Sequence, residues 1–195
     1  MELTPALEIG WLNGWILLCV LYLFLGVLVL SFPKDARVRL FKYDRSRWSI
    51  PHRIIFVMGK SLAFVYIIMI VFTPLKIGSV AFIPGIIIFT IGLALFTIAL
   101  LNFKNTPLDQ PVTRGIYGIS RHPQILSLFI LAFGICMAIG SWLALFLLII
   151  SPLFGRCRIL EEEKACREQY GDLYRAYMKR VPRYFLIRTH MRREG

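Results

Sequence analysis

Two short polar clusters contain the residues of this sequence that are best suited to chemistry. The first, residues 113–123, ends in Arg121, His122 and Pro123, directly before a long apolar stretch. A proline at the first helical position is pre-organised for a helix, and the free N–H groups of a helix start attract anions. With an arginine beside it, this helix start suits a carboxylate or a phosphate. The alternative is a loop whose arginine meets lipid phosphates, and spacing alone does not decide between the two.

The second cluster combines Arg158 with three consecutive acids, Glu161, Glu162 and Glu163. Three acids are unexpected in a basic tail beside a membrane, because the membrane surface is itself negative. On a helix, Arg158 and Glu162 are four residues apart and share a face, so we expect Glu161 and Glu163 to point elsewhere. Taken alone, this cluster favours a solvated helix face with an Arg–Glu pair.

The composition predicts that membrane helices position both clusters. Of the 195 residues, 57% are hydrophobic and only 17% are charged, with a mean hydropathy of +0.68. A soluble domain has about 25% charged residues. Residues 9–33, 61–75, 77–103 and 123–155 contain no charge, and a membrane-spanning helix needs about 20 such residues. The sequence therefore predicts an integral membrane protein.

The net charge of +12 does not indicate a nucleic-acid partner. Most Lys and Arg residues flank the apolar stretches, where basic residues follow the positive-inside rule and meet anionic lipid headgroups. The four cysteines form no CxxC pair, so the sequence predicts neither a metal site nor a disulfide framework. The expected partners are membrane lipids.

The fold class that we expect is an all-α, polytopic membrane helix bundle with about five transmembrane helices. The predicted spans are residues 11–32, 54–75, 77–101, 124–139 and 142–156. The fourth charge-free stretch would make a straight helix of about 50 Å, too long for a hydrocarbon core of about 30 Å. Gly140-Ser141 therefore predicts a turn that divides it into a hairpin.

Loop charges indicate the orientation of this bundle. With five helices, 21 Lys and Arg residues share one face and Lys76 stands alone on the other. The positive-inside rule then predicts an N-terminus outside and a C-terminus in the cytoplasm. Beyond the last span, residues 158–180 have an apolar stripe at helical spacing and predict a cytosolic amphipathic helical segment, interrupted at Gly171-Asp172.

The predicted hairpin would bring the two clusters together on the cytoplasmic face. An anion-binding helix start opposite a carboxylate makes a bipolar pocket, which suits a zwitterionic cofactor. We expect the chain, residues 1–195, to form a single integral membrane domain with its cofactor-binding part at about residues 102–185.

The order of these motifs resembles the isoprenylcysteine carboxyl methyltransferases, a family similar to the phospholipid N-methyltransferases. The residues that carry the resemblance are Gly115-Ile116-Tyr117, Ser120-Arg121-His122-Pro123, Arg158-x-x-x-Glu162, Tyr170-Gly171-Asp172-x-Tyr174-x-x-Tyr177 and Val181-Pro182. They extend over about residues 102–185, less than half of the chain. The resemblance implies S-adenosylmethionine as the cofactor and a small helical membrane bundle as the fold.

Carried over position by position, the resemblance implies a set of site residues. Those around the cofactor are Val112, Tyr117, His122, Pro123, Gln124, Ile125 and Glu162, with Asn102 and residues 109–111 as weaker candidates. The catalytic candidates are Arg158, which would lie towards the acceptor, and His122, which would act as a base for an amine acceptor. Ile125 and Ser127 depart from the family, which usually has tyrosine and glycine there.

The leading hypothesis is a methyltransferase acting on a lipid-like or lipid-linked acceptor at the cytoplasmic membrane face. A phospholipid N-methyltransferase is the first alternative. A second is a relative of the NADPH-dependent membrane sterol reductases, which have a similar Arg-His-Pro and tyrosine pattern in a much larger bundle. The third is a non-enzymatic membrane protein whose polar clusters are only interfacial.

Overall fold

Helices make up the regular structure of the protein. The computed structural model describes residues 1–3, 5–41 and 48–184. Within these ranges the chain forms α-helices and one 3-10 helix but no β-strand, which confirms the expected all-α polytopic bundle. The elements are α1 (Trp15–Leu30), α2 (Lys34–Phe41), α3 (Ile50–Phe72), α4 (Phe82–Lys104), the 3-10 helix (Gly115–Gly118), α5 (Pro123–Ala138) and α6 (Trp142–Arg180).

The five expected apolar helices are present, with different bounds. Helices α3, α4 and α6 are long and apolar enough to cross a membrane. Helices α1 and α5 have 16 residues each, about 24 Å at 1.5 Å per residue, and a bilayer accommodates such short helices by thinning locally. Helix α3 begins at Ile50 rather than residue 54, since Pro51 favours a helix start there. Helix α4 begins at Phe82 rather than residue 77, because residues 77–81 form turns.

Helix α2 was not predicted from the sequence. It follows α1 almost directly, after Pro33, whose carbonyl accepts the first helical hydrogen bond from Arg37 N at 3.1 Å. Asp35 in its first turn and Arg39 in its last turn both complement the helix dipole. The segment after α1 therefore continues as a basic helix at the end of the bundle.

The turn predicted at Gly140-Ser141 is confirmed. Gly140 has φ +64°, a left-handed conformation that residues with a side chain rarely adopt. The Ser141 Oγ then accepts a hydrogen bond from Ala144 N at 3.1 Å and caps α6. Helices α5 and α6 therefore form the antiparallel hairpin on which the proximity of the two polar clusters depends.

Helix α6 is longer than the expected span. Instead of ending near residue 156, it continues without interruption into the helical segment predicted for residues 158–180 and ends at Arg180, with Pro152 inside the helix. The break predicted at Gly171-Asp172 is confirmed as a kink, where Gly171 has φ 54° and ψ −127°. The same helix thus carries the acidic triplet beyond the apolar part of the bundle.

The apolar core lies between α1, α3, α4, α5 and α6. Its most inaccessible side chains include Ile70, Ile135 and Ala144, which are at most 1% exposed. Many large apolar side chains on the outer surface are exposed, such as Leu23 at 71% and Ile83 at 68%. Such an apolar exterior is stable in lipid rather than in water.

Backbone hydrogen bonds define the two ends of the bundle. At one end, Glu2 N donates to Gly140 O at 2.7 Å and Lys76 N donates to Ala138 O at 3.0 Å. This end therefore holds the N-terminal segment, the α3–α4 connection and the α5–α6 turn. Because the helices alternate in direction, both polar clusters lie at the opposite end.

Candidate functional site

The centre of the candidate site is the carboxylate of Glu163, which is 2% exposed. Its Oε1 lies 3.2 Å from His122 Nε2 and 3.3 Å from Arg121 Nη2. Arg183 binds the same carboxylate in a bidentate manner, with Nε to Oε1 at 3.0 Å and Nη2 to Oε2 at 2.6 Å. The start of α5 and the acidic part of α6 are therefore in direct contact, as the hairpin predicted.

The expectation that Glu163 points away from the site is wrong. The spacing correctly separated the faces of Glu162 and Glu163, but it could not show which of these faces the bundle covers. Glu163 is covered, while Glu162 is exposed. Glu161 also points elsewhere, as expected, and lies 3.5 Å from His52 Nδ1 on α3.

The Glu163 carboxylate is held in its charged form. Burial alone would raise its pKa, but hydrogen bonds from His122 and Arg183 and the charge of Arg121 outweigh burial and lower the pKa to about 2. The carboxyl group is therefore ionised at neutral pH. One buried negative charge then faces two arginines.

Arg121 has buried hydrogen-bond donors that lack an acceptor among the described residues. Its side chain is 4% exposed, and its Nε and Nη1 atoms are buried without a partner among the described residues. The Asn102 Nδ2 atom is in the same condition. A buried donor without an acceptor costs about 1–3 kcal/mol, so an acceptor-rich ligand such as a carboxylate would be stabilised beside Arg121.

The residues after α6 form a strap, residues 181–184, that folds back over the start of α5. Arg121 N donates to Pro182 O at 3.0 Å, and Ser120 Oγ donates to Arg183 O at 2.9 Å. Below the strap, Tyr177 Oη donates to Tyr117 O at 2.7 Å. These bonds fix the position of the segment that leads into α5.

Arg183 was not predicted as a site residue from the sequence, although Val181-Pro182 directly before it was part of the resemblance. A signal was present in the acidic triplet, because a carboxylate that is buried in a basic tail requires a cation. Which of the many arginines supplies that cation depends on the fold of the strap.

A second group of contacts involves Tyr117, which is 7% exposed. Gln124 Nε2 donates to Tyr117 Oη at 3.0 Å, which joins the 3-10 helix to the first turn of α5. Burial raises the pKa of Tyr117, and the negative charge of Glu162 raises it further. The exposed Glu162 carboxylate therefore lies within electrostatic reach of the Tyr117 ring.

The remaining candidates lie around these residues. Pro123 is buried at the start of α5, whereas Val112 and Ile125 are half-buried. Arg158 is exposed on α6, one helical turn before Glu162. Among the described residues, no three or more His, Cys, Asp or Glu side chains are grouped so that they could hold a metal ion.

Two surface clefts lie elsewhere on the molecule. One runs along the outer face of α1 beside Leu23 and Val27, and the other lies beside Glu8 and Asn13 at the opposite end of the bundle. Neither is lined by residues of the two polar clusters, so the chemistry of the site, rather than a cleft, identifies it.

These observations define a class: a polytopic membrane helix bundle with a polar, bipolar site at one end. Comparison with known proteins narrows this class. Residues 88–173 match the family model described as phospholipid methyltransferase. Over 73 residues the chain is 40% identical to the protein-S-isoprenylcysteine O-methyltransferase of Schizosaccharomyces pombe, a match that covers 36% of this chain and 30% of that protein. The resemblance to this group of methyltransferases is therefore confirmed for the C-terminal half.

A second relative belongs to another class of enzyme. The chain is 31% identical over 74 residues to the probable 7-dehydrocholesterol reductase of Acanthamoeba polyphaga mimivirus, covering 37% of this chain and 17% of that protein. The matches thus span less than a third of the length of either relative. No solved structure matches.

Proposed function

We propose that this protein is an S-adenosylmethionine-dependent methyltransferase that transfers a methyl group to a lipid-like or lipid-linked acceptor at the cytoplasmic face of the membrane. The observation that carries the proposal is the contact between His122 and Glu163 at 3.2 Å. It joins a helix start suited to anions with an acidic helix 41 residues further along the chain. Both partners lie in the segment that is similar to methyltransferases.

The donors and acceptors of the site fit this cofactor. The unpaired Nε and Nη1 atoms of Arg121 match its carboxylate. The exposed Glu162 carboxylate suits its hydroxyl or amino groups, and the Tyr117 ring suits its cationic centre through a cation–π contact. The side chains that complete the proposed pocket are Val112, His122, Pro123, Gln124 and Ile125.

The cofactor supplies an activated methyl group, so the protein mainly has to position groups and exclude water. Methyl transfer is an in-line displacement that needs the reacting atoms about 3–3.5 Å apart. The strap and the buried contacts of Glu163 keep the start of α5 fixed and dry. Arg158, one turn before Glu162, would bind an acceptor carboxylate, which is already ionised and needs no base.

An amine acceptor would make a different demand on the site, because it must lose a proton. His122 is the histidine in the site, and its Nε2 donates a hydrogen bond to the ionised Glu163 carboxylate. This arrangement leaves Nδ1 as the nitrogen that could take the proton. The leading acceptor is therefore a carboxylate, as in isoprenylcysteine carboxyl methylation, and the alternative is a phospholipid amine.

One experiment tests both the activity and the acceptor. Membranes containing the protein are incubated with S-adenosylmethionine that carries a radiolabelled methyl group, and the lipid fraction is treated with base. Volatile radiolabelled methanol would indicate a methyl ester, whereas a base-stable lipid label would indicate N-methylation. Absence of any label above membranes without the protein would contradict the proposal.

Cofactor affinity tests the role of Glu162. Replacing Glu162 by Gln removes one charge-assisted hydrogen bond, worth roughly 1.5–3 kcal/mol, so the affinity for S-adenosylmethionine should fall about 10- to 100-fold. Glu161→Gln is the matched control, because Glu161 lies next to His52 rather than the pocket. It should change the affinity by less than about twofold. Equal effects of the two variants would remove Glu162 from the proposed pocket.

The similarity to a probable reductase favours one other function. Titration of the purified protein with NADPH separates the two. Binding of NADPH without binding of S-adenosylmethionine would support a reductase relative, and binding of neither would support a non-enzymatic membrane protein.

A further inference from the structure

Arg39, in the last turn of α2, connects three separate parts of the chain. Its Nη1 donates to Thr106 O and Pro107 O, both at 3.2 Å. Its Nη2 donates to Gln110 O at 2.9 Å and to Tyr170 Oη at 3.2 Å. One guanidinium thus binds the loop of residues 105–112, which follows α4, and the part of α6 that precedes the kink.

The geometry of this contact depends on an arginine. A guanidinium is planar and presents donors in several fixed directions at once, whereas a lysine ammonium is a compact point charge. The Arg39 guanidinium also lies 4.9 Å from the centre of the Phe103 ring, on the last turn of α4. The hydroxyl of Tyr170 extends the arrangement, because it donates to Leu108 O at 3.4 Å.

The loop held by Arg39 has little support of its own. Residues 107–110 are exposed, and the loop's local backbone bonds include Gln110 N to Pro107 O at 3.3 Å. Arg39 and Tyr170 add bonds from two helices that are distant in sequence. The position of the loop relative to α6 therefore depends largely on the bonds that Arg39 and Tyr170 make to it.

Arg39 also lies at the edge of the proposed cofactor site. The loop leads directly into Val112 and on to Tyr117. The positive charge of Arg39 lowers the pKa of Tyr117, against the larger effects of burial and Glu162, which raise it. Burial raises the pKa of the Cys166 thiol, Glu162 raises it further, and Arg39 lowers it.

We propose that Arg39 is a positioning residue that clamps the loop of residues 105–112 against α6 and so sets the edge of the cofactor pocket. The clamp rests on the proposed function for its link to the cofactor. Helix α2 lies outside residues 88–173, so the match to the methyltransferase family does not assign it this role. The element that positions the pocket would then come from the N-terminal third of the chain.

The first test measures hydrogen exchange in the full-length protein in detergent, without cofactor. In Arg39→Ala, peptides covering residues 104–112 should exchange at least about tenfold faster, while peptides from α4 and α5 stay unchanged. Arg37→Ala is the matched control, two residues earlier on the same helix. Unchanged exchange in the loop would overturn the clamp, and so would a uniform increase over the whole protein.

The second test measures S-adenosylmethionine binding and methyl transfer with the same variants. Arg39→Ala should raise the dissociation constant and the KM for the cofactor about tenfold and leave kcat within about twofold, because the pocket edge loosens and the reacting groups stay in place. Arg39→Lys should recover only part of the affinity. Faster hydrogen exchange in the loop together with an unchanged affinity for S-adenosylmethionine would overturn the link to the pocket.

The two tests also separate the clamp from the proposed function. If the unaltered protein binds no S-adenosylmethionine, the proposed function fails and the link to a cofactor pocket fails with it. The exchange measurement still decides whether Arg39 holds the loop.

Discussion

Replacing Glu163 by Gln is the substitution that the structure predicts to be most damaging at the site. Glu163 is 2% exposed and contacts His122, Arg121 and Arg183 at 2.6–3.3 Å. Glutamine has nearly the same shape but no charge. The variant would therefore leave two arginines beside a buried neutral amide, so the cluster would hold two uncompensated positive charges instead of one.

The size of the effect follows from known buried ion pairs. Removing one partner of a buried pair costs about 3–5 kcal/mol, because the other charge stays buried. Since the amide oxygen can still accept one hydrogen bond, we expect about 3 kcal/mol. In a chain of this length that corresponds to a fall in melting temperature of roughly 6–12 °C.

Thermal unfolding of the purified protein in detergent measures this effect. Glu162→Gln is the matched control, since it makes the same chemical change on an exposed face and should alter stability by less than about 0.5 kcal/mol. Similar melting temperatures for the two variants would refute the assignment of Glu163 as a buried, ion-paired carboxylate. The acidic triplet would then be an ordinary solvated helix face.

Three further predictions concern pH, topology and the pocket wall. The pKa of Glu163 is lowered from 4.5 to about 2, so its contribution to stability is complete above pH 4.5 and is lost as pH falls from 4.5 towards 2. The free energy of unfolding should show this loss in the native protein but not in Glu163→Gln. An equal dependence of the unfolding free energy on pH in both proteins would contradict this prediction. Val80, in the α3–α4 connection, is 96% exposed. In a variant that lacks the native cysteines, a cysteine at position 80 should be labelled from outside intact cells. Labelling only after permeabilisation would reverse the predicted orientation. Ile125→Tyr, which restores the residue usual in the family, should preserve or modestly strengthen S-adenosylmethionine binding measured by calorimetry, and complete loss with the fold retained would indicate a differently shaped pocket.

The helical bundle was predictable because each of its main determinants is local. Charge-free stretches locate apolar helices, and Gly140 allows the left-handed backbone that the α5–α6 turn requires. Helix α2 was missed because its charged residues show no apolar period. The helical segment at residues 158–180 was predicted, but its continuity with the last span was not, because membrane depth ends a span but does not end a helix.

The site was predictable in outline for a different reason. The hairpin brings the start of α5 beside the part of α6 that follows its apolar segment, so the proximity of the two clusters followed from topology. Helical spacing fixed the angle between neighbouring acids, about 100° per residue. It did not fix the rotation of α6 about its own axis, which depends on packing against α3 and α5. For this reason the buried member of the triplet was misassigned.

The neighbouring acids Glu162 and Glu163 therefore have different consequences for the site. Glu163 neutralises one of its two arginine partners, so the buried cluster keeps a positive charge and Arg121 keeps unpaired donors. Glu162, turned about 100° away, leaves its negative charge exposed near Tyr117. A positive interior beside a negative edge is the arrangement that a zwitterionic ligand requires. Two adjacent carboxylates create it only because α6 buries one and exposes the other.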